Sequence, residues 1–416
     1  MPPAHPRWLA RALLLAGGGG AVVFAVRAVM DWPLDPIAAA RQLCLALATA
    51  IVAVGGCVWL LRGRRIARGL LQRPRLLRAA LAFAATGLTL LLAEGALRAA
   101  GVFAHHSDVE VRSEPFVEPD AQLGYRLVRD REVAVQLVRA RDGEVVGHAR
   151  YGFDAAGHRR TVLPRADGHD RAVLFFGCSQ TFGHGLDDDA TVPSRYAAAM
   201  PRDLVTNLAV PGYGPNHALV LARDAAALPQ LALRQPALPQ PPVAVFVWID
   251  HHLLRLCGSL RVRNTYGVDA PCFALSGDGH AELRGPFRRA EPARTAWCWA
   301  VGKSQLLQLC GYDWPAAPRE QDLDLAVAVF RDLAAALRTV QCRLLIAQYP
   351  GETMGARVAA RLGDGGSEGG VAFVDLTGLF DPRAAGMSLD RDGHPTRAAA
   401  QLLGDRIADE VRRAFQ

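Results

Sequence analysis

Five short apolar runs alternate with longer stretches of helical spacing between residues 171 and 416, and no other feature of the chain restricts its fold as tightly. The runs are AVLFF (172–176), LVTNLAV (204–210), VAVFVWI (243–249), RLLIAQY (343–349) and VAFVDL (371–376). Each is too short for a buried helix and lacks the strict polar alternation of a half-exposed strand, so each reads as a strand covered on both faces. Between them SRYAAAM, PNHALVLARDAAAL, EQDLDLAVAVFRDLAAALRTV and TRAAAQLLGDRIADEVRRAF place alanine and leucine at helical spacing. That order predicts a parallel sheet with helices on both sides and functional loops at the carboxyl ends of its strands.

The flanking segments read differently. Residues 104–170 hold short alternating runs and turn signals, with RDGE as a hairpin turn, which predicts a small β-rich lead-in. The interval 257–318 is rich in proline, glycine and tryptophan without a clear period and reads as an insertion or cap near the mouth of a site. In residues 1–103, three apolar stretches at about 9–30, 43–61 and 79–101 read as three transmembrane helices, with a signal peptide as the competing reading of the first. The second runs 19 residues without a charge, enough for a bilayer core of about 30 Å. Seven arginines and no acid separate the second stretch from the third, which would hold that loop in the cytoplasm. Everything after about residue 103 would then lie on the periplasmic side of an inner membrane. Glu94 and Arg98, four apart, suit an ion pair on one helical face.

Twelve arginines against three acids in residues 1–103 exceed the net charge of +7 of the whole chain, leaving −2 for the remainder. The larger part of the chain is therefore no basic nucleic-acid binder. Of eight cysteines, spacing permits Cys257 with Cys272 or Cys298 with Cys310 as disulfides without establishing either, and no Cys-x-x-Cys pair points to zinc.

The first apolar run leads straight into GCSQTFGHGLDDD and so presents Ser179 at a strand end. A serine hydroxyl becomes a nucleophile only when a base takes its proton and a third group orients that base. His394 and Asp392, two apart in DRDGHPT ahead of a helix expected from about Pro395, supply such a pair. In NLAVPGYGPNH, Gly212 and Gly214 leave backbone N–H groups open to a developing oxyanion. Plainer roles exist: Ser179 and Asp392 also suit helix caps, and His184 reads as a solvated loop residue. In WIDHHLLR, adjacent residues of an extended segment point to alternating faces, which argues against a metal site at Asp250, His251 and His252. Asp250 reads as an end-of-strand residue that organises the pocket, or as a partner of Arg255.

The blocks FFGCSQTFGHGLDDDATVPSRYA, NLAVPGYGPNH and DGHPT together resemble the SGNH, or GDSL-like, hydrolase superfamily. They are most similar to its membrane-anchored members, whose first block reads Gly-x-Ser-x-Thr-Phe-Gly. The resemblance covers about residues 171–412 and implies a flavodoxin-like three-layer α/β/α SGNH-hydrolase domain with a parallel sheet. It implies Ser179 as nucleophile, His394 as general base, Asp392 as its orienter, and the backbone N–H groups of Ser179 and Gly212 as the oxyanion hole. The third block of the family offers an asparagine side chain as a further donor. Here Ile249, Asp250, His251 and His252 stand in its place, which leaves Asp250 and His251 as pocket candidates. Cys178 is a second departure, standing where the family usually has aspartate or glycine.

The resulting expectation is a membrane-anchored serine esterase without cofactor or metal, acting on an acylated small molecule, lipid or polysaccharide. Two alternatives stand beside it. One is an O-acyltransferase for an exported polysaccharide, which would need an acyl-donor partner protein; the other is a non-catalytic glycan- or lipid-binding protein on the same fold.

Overall fold

The computed structural model describes residues 74–99, 109–140, 142–224, 238–309, 319–363, 371–389 and 393–415. The chain divides into two units, residues 1–100 with 304–306 and the remainder. The described part of the first unit is helix α1 (Pro74–Ala99) together with residues 304–306. Its charge-free run, 79–93, is 15 residues long. At 1.5 Å per residue that is about 22 Å, short of a hydrocarbon core of about 30 Å. Glu94 ends the run, accepting from Ser304 Oγ at 2.8 Å and from the amides of Gln305 and Leu306 at 3.0 Å, and pairing with Arg98 at 2.7 Å. Burial would raise its carboxyl, but these donors hold it down at about 2.

No helix among the described residues is long and apolar enough to cross a membrane. This overturns the expected three transmembrane helices, and with them the multi-pass inner-membrane placement and the periplasmic side assigned to the rest of the chain. The stretches at 9–30 and 43–61 lie outside the described residues.

The second unit opens with five strands, β1 (Val109–Ser113), β2 (Val117–Asp120), β3 (Gly124–Leu127), β4 (Glu132–Arg139) and β5 (Val145–Gly152). β1, β4 and β5 form one antiparallel sheet, and β2 with β3 forms a hairpin. The five apolar runs then become the five strands of one parallel sheet: β6 (Arg171–Phe176), β7 (Asp203–Asn207), β8 (Val243–Trp248), β11 (Arg343–Gln348) and β12 (Val371–Asp375). Their order is β12-β11-β8-β6-β7, so β6 lies between the two strands that follow it. This is the strand order of a doubly wound sheet. In the interval 257–318, β9 (Pro271–Leu275) and β10 (Ala281–Pro286) pair as an antiparallel hairpin, and short helices surround it. Cys257, Cys272 and Cys298 are free thiols, so neither of the permitted disulfides forms.

Period-two geometry sends alternate strand residues to opposite faces, and helices cover both. The helices of the second unit, in chain order, are α2 (Ser179–Phe182), α3 (Val192–Ala199), α4 (Pro215–Arg223), α5 (His251–Leu256), α6 (Leu260–Thr265), α7 (Phe287–Ala290) and α8 (Pro292–Val301). After α9 (Gln305–Leu309) come α10 (Glu320–Arg338), α11 (Met354–Leu362) and α12 (Arg397–Phe415). Val173, Phe175, Val245 and Leu345 pack with Tyr196 of α3 and with Leu403 and Ile407 of α12. Leu174, Phe176, Phe246 and Ile346 pack on the other face with Phe330 and Leu333 of α10.

Arg171 at the start of β6 is buried with Asp203 and Tyr196. Arg171 Nε donates to both carboxylate oxygens of Asp203 at 3.0 Å, and the Tyr196 hydroxyl donates to one of them at 2.7 Å. Removing the carboxylate would strand a guanidinium in the interior. Asp203→Ala is therefore expected to cost about 3–5 kcal/mol and Tyr196→Phe about 1.5–3 kcal/mol, read from urea midpoints. Equal losses in the two variants would contradict this account.

Candidate active site

β6 ends in a turn that only glycine accommodates. Gly177 has φ of +151°, and a Cβ there would lie 2.3 Å from Thr181 Oγ1. The chain passes Cys178 and enters α2 with Ser179 as its first residue. The loop after β7 is tied to this turn: Val210 N–H donates to the Gly177 carbonyl at 3.4 Å, and buried Asn207 donates to the Thr181 carbonyl at 3.4 Å. Asn207 also accepts from Ala209 N–H at 3.1 Å, which shapes the run toward Gly212.

His394 arrives 215 residues later and places Nε2 at 2.8 Å from Ser179 Oγ. Its backbone is held by Leu389 N–H donating to the His394 carbonyl at 2.8 Å, and by the Tyr349 hydroxyl donating to the Gly393 carbonyl at 3.2 Å. Ser179 and His394 are 9% and 8% exposed, so the pair is sheltered yet reachable. The serine O–H can donate to Nε2 when the imidazole carries its proton on Nδ1. Asp392, expected to orient that ring, lies outside the described residues. The final helix begins at Arg397 rather than Pro395, and its cap is Thr396, whose Oγ1 accepts from Ala399 N–H at 3.3 Å.

Ser179, His394, Gly212 and His251 line one cleft of about 550 Å³. Gly212 has φ of +87°, and a Cβ there would meet the Tyr125 hydroxyl at 2.2 Å. The Tyr125 hydroxyl itself donates to the Pro211 carbonyl at 2.7 Å, so the lead-in hairpin braces this loop. The interval 257–318 contributes Ser259, Val262 and Tyr266 to the same wall.

Asp250 is not in the cleft. Its carboxylate accepts from Thr353 N–H at 3.0 Å, Thr353 Oγ1 at 3.1 Å and Met354 N–H at 2.9 Å, capping α11 from another part of the chain. Asp250 therefore neither organises the cleft nor pairs with Arg255. His252, next to His251, is buried against Phe246 and Trp248, with Nδ1 accepting from Ile249 N–H at 3.1 Å.

Three cleft residues escaped the sequence reading. Gln180 Oε1 lies 3.2 Å from Ser179 Oγ and accepts from Cys178 Sγ at 2.8 Å, which gives the small residue before the serine a role in fixing it. His184 packs its ring 4.7 Å from that of His394 instead of facing solvent. Arg255 lines the cleft although it is 6% exposed. Its one trace in the sequence is a charge within the apolar helical run HHLLRL.

The chain matches no family model and none of the curated proteins. Among solved structures it is similar to a protein of the G-D-S-L family from Desulfitobacterium hafniense DCB-2, at 10% identity over 57% of this chain and 98% of that one, with a TM-score of 0.31. It is similar to TesA at 17% identity over 59% of this chain and 100% of that one, with a TM-score of 0.31. It is also similar to LAE5, an alpha/beta hydrolase enzyme from the metagenome of Lake Arreo, Spain, at 13% identity over 59% and 95%, with a TM-score of 0.33. At such values the functional reading rests on the geometry of this chain.

Behind the site, Glu352 accepts from Asp250 N–H at 2.8 Å. Burial, assisted by the neighbouring Asp250 charge, pushes its carboxyl up to about 7. The folded state then holds a proton that the unfolded state releases near pH 4.5, so stability falls as pH rises from about 4.5 to about 7. Glu352→Gln is expected to flatten this part of the stability profile, measured by urea unfolding across that window. An unchanged slope would show that another group is responsible.

Proposed function

We propose that the chain is a serine esterase that works through an acyl-enzyme on Ser179. The observation that carries this reading is the 2.8 Å approach of His394 Nε2 to Ser179 Oγ at the end of a rigid parallel strand, inside a cleft. Oγ attacks the ester carbonyl carbon while its proton passes to Nε2. In this reading the backbone N–H groups of Ser179 and Gly212 donate to the oxygen that becomes negative. His394 then returns the proton to the departing alcohol, which leaves Ser179 acylated. Water, deprotonated by the same imidazole, cleaves the acyl-enzyme and restores the serine. Asp392 as the group that orients His394 belongs to this proposal through its place two residues away.

Full-length protein is expected to release p-nitrophenol from p-nitrophenyl butyrate, and Ser179→Ala and His394→Ala each to lower kcat by roughly 10³-fold or more. A burst of one p-nitrophenol per active chain would accompany a slow deacylation step. Turnover that survives in Ser179→Ala would sink the reading.

A further inference from the structure

Among the described residues that line the cleft, the formal charges have one sign. Their number includes Arg255, which is buried, and Arg261, which is exposed, and contains no aspartate or glutamate. Arg255 is unusual among the buried arginines of the described residues. Arg159 pairs with Asp188 at 3.0 Å, Arg171 with Asp203 at 3.0 Å, and Arg263 with Glu291. Arg255 instead has no carboxylate partner among the described residues: Nε donates to the Tyr266 hydroxyl at 3.0 Å and Nη1 to the Tyr213 carbonyl at 2.9 Å, and the guanidinium also bonds the Cys178 side chain. The Cys178 and Tyr266 side chains favour its charged form against burial, and no carboxylate of the described lining faces it. His217 and His252 are pushed down by burial and then by the Arg255 charge, His217 to about 3, so both stay neutral.

A guanidinium withdrawn from water without a counter-ion is costly, and the cost is offset when a ligand brings the missing charge. The planar fork retains N–H groups beyond the two engaged, which suits a carboxylate. Phe116, Leu254 and Val262 of the same wall are apolar and would take the carbon skeleton.

We propose that the cleft selects esters that also carry a carboxylate, with Arg255 as its counter-ion and Arg261 adding attraction from the exposed side. This rests on the esterase reading of the same site. The carboxylate sits either on the acyl part or on the alcohol part of the ester, and the two sources can be separated. For the acyl side, the full-length protein is given p-nitrophenyl hemisuccinate and its neutral isostere p-nitrophenyl 4-methylpentanoate. For the alcohol side, it is given the butyryl esters of 4-hydroxybenzoate and of p-cresol.

One anionic member is expected to exceed its neutral partner in kcat/KM by roughly 10- to 100-fold. Arg255→Met should bring that ratio close to one, and Arg255→Lys should retain part of it. The unmodified protein tests the idea even if the variants do not fold: no preference for either anionic ester overturns it. A drop of both members together in Arg255→Met, with the ratio unchanged, also overturns it, and would assign the guanidinium to the carbonyl oxyanion instead. If no ester is turned over, the esterase reading fails separately, and calorimetry of Ser179→Ala with monomethyl succinate decides the anion site. Binding lost on adding Arg255→Met supports the site, and absence of binding to Ser179→Ala removes it.

Discussion

Burial of the central sheet on both faces is the constraint from which the remaining structure follows. Every residue of β6 and β8 is buried, so helices must cover both sides and each connection must cross from the carboxyl end of one strand to the amino end of the next. β6 has β7 on one side and β8 on the other. The chain therefore leaves β6, β7 and β8 at the same edge, and the loops there face one another. Ser179, Gly212 and His251 come from those three loops and line one cleft.

Rigid support for the serine comes from packing and from hydrogen bonds that cross between loops. Gly177 lets the chain turn where any side chain would strike Thr181. Asn207, fully buried, joins the loop after β7 to the carbonyl of that same residue. Tyr125 and Tyr213 tie the lead-in hairpin to the Gly212 loop, the Tyr213 hydroxyl donating to the Tyr125 carbonyl. The lead-in strands thus form part of the wall that holds the site, with Phe116 and Val117 inside the cleft.

The strands of the sheet were legible because a strand buried on both faces leaves a continuous apolar run, a signal contained within six or seven residues. Ser179 and Gly212 were legible for a related reason, since glycine-bearing turns directly after strands are local features. The membrane expectation failed where local hydropathy was read without its neighbours: the charge-free run of α1 ends at Glu94, which is bonded to Ser304, Gln305 and Leu306, more than 200 positions away. Asp250 was misplaced in the same manner, because its partners Thr353 and Met354 are remote in sequence. Arg255 left almost no local trace, since its effect depends on which remote groups surround it.

By itself the sequence determined the parallel α/β core, its strand positions and the turn that carries Ser179, because periodicity and backbone freedom are short-range properties. Tertiary structure alone decided which groups meet. It brought His394 across 215 residues to the serine hydroxyl, turned Asp250 away to cap a helix, and left a buried arginine lining the cleft with no carboxylate partner among the described residues. Those outcomes depend on distances and desolvation between remote segments, and neither quantity exists until the sheet has closed around its helices.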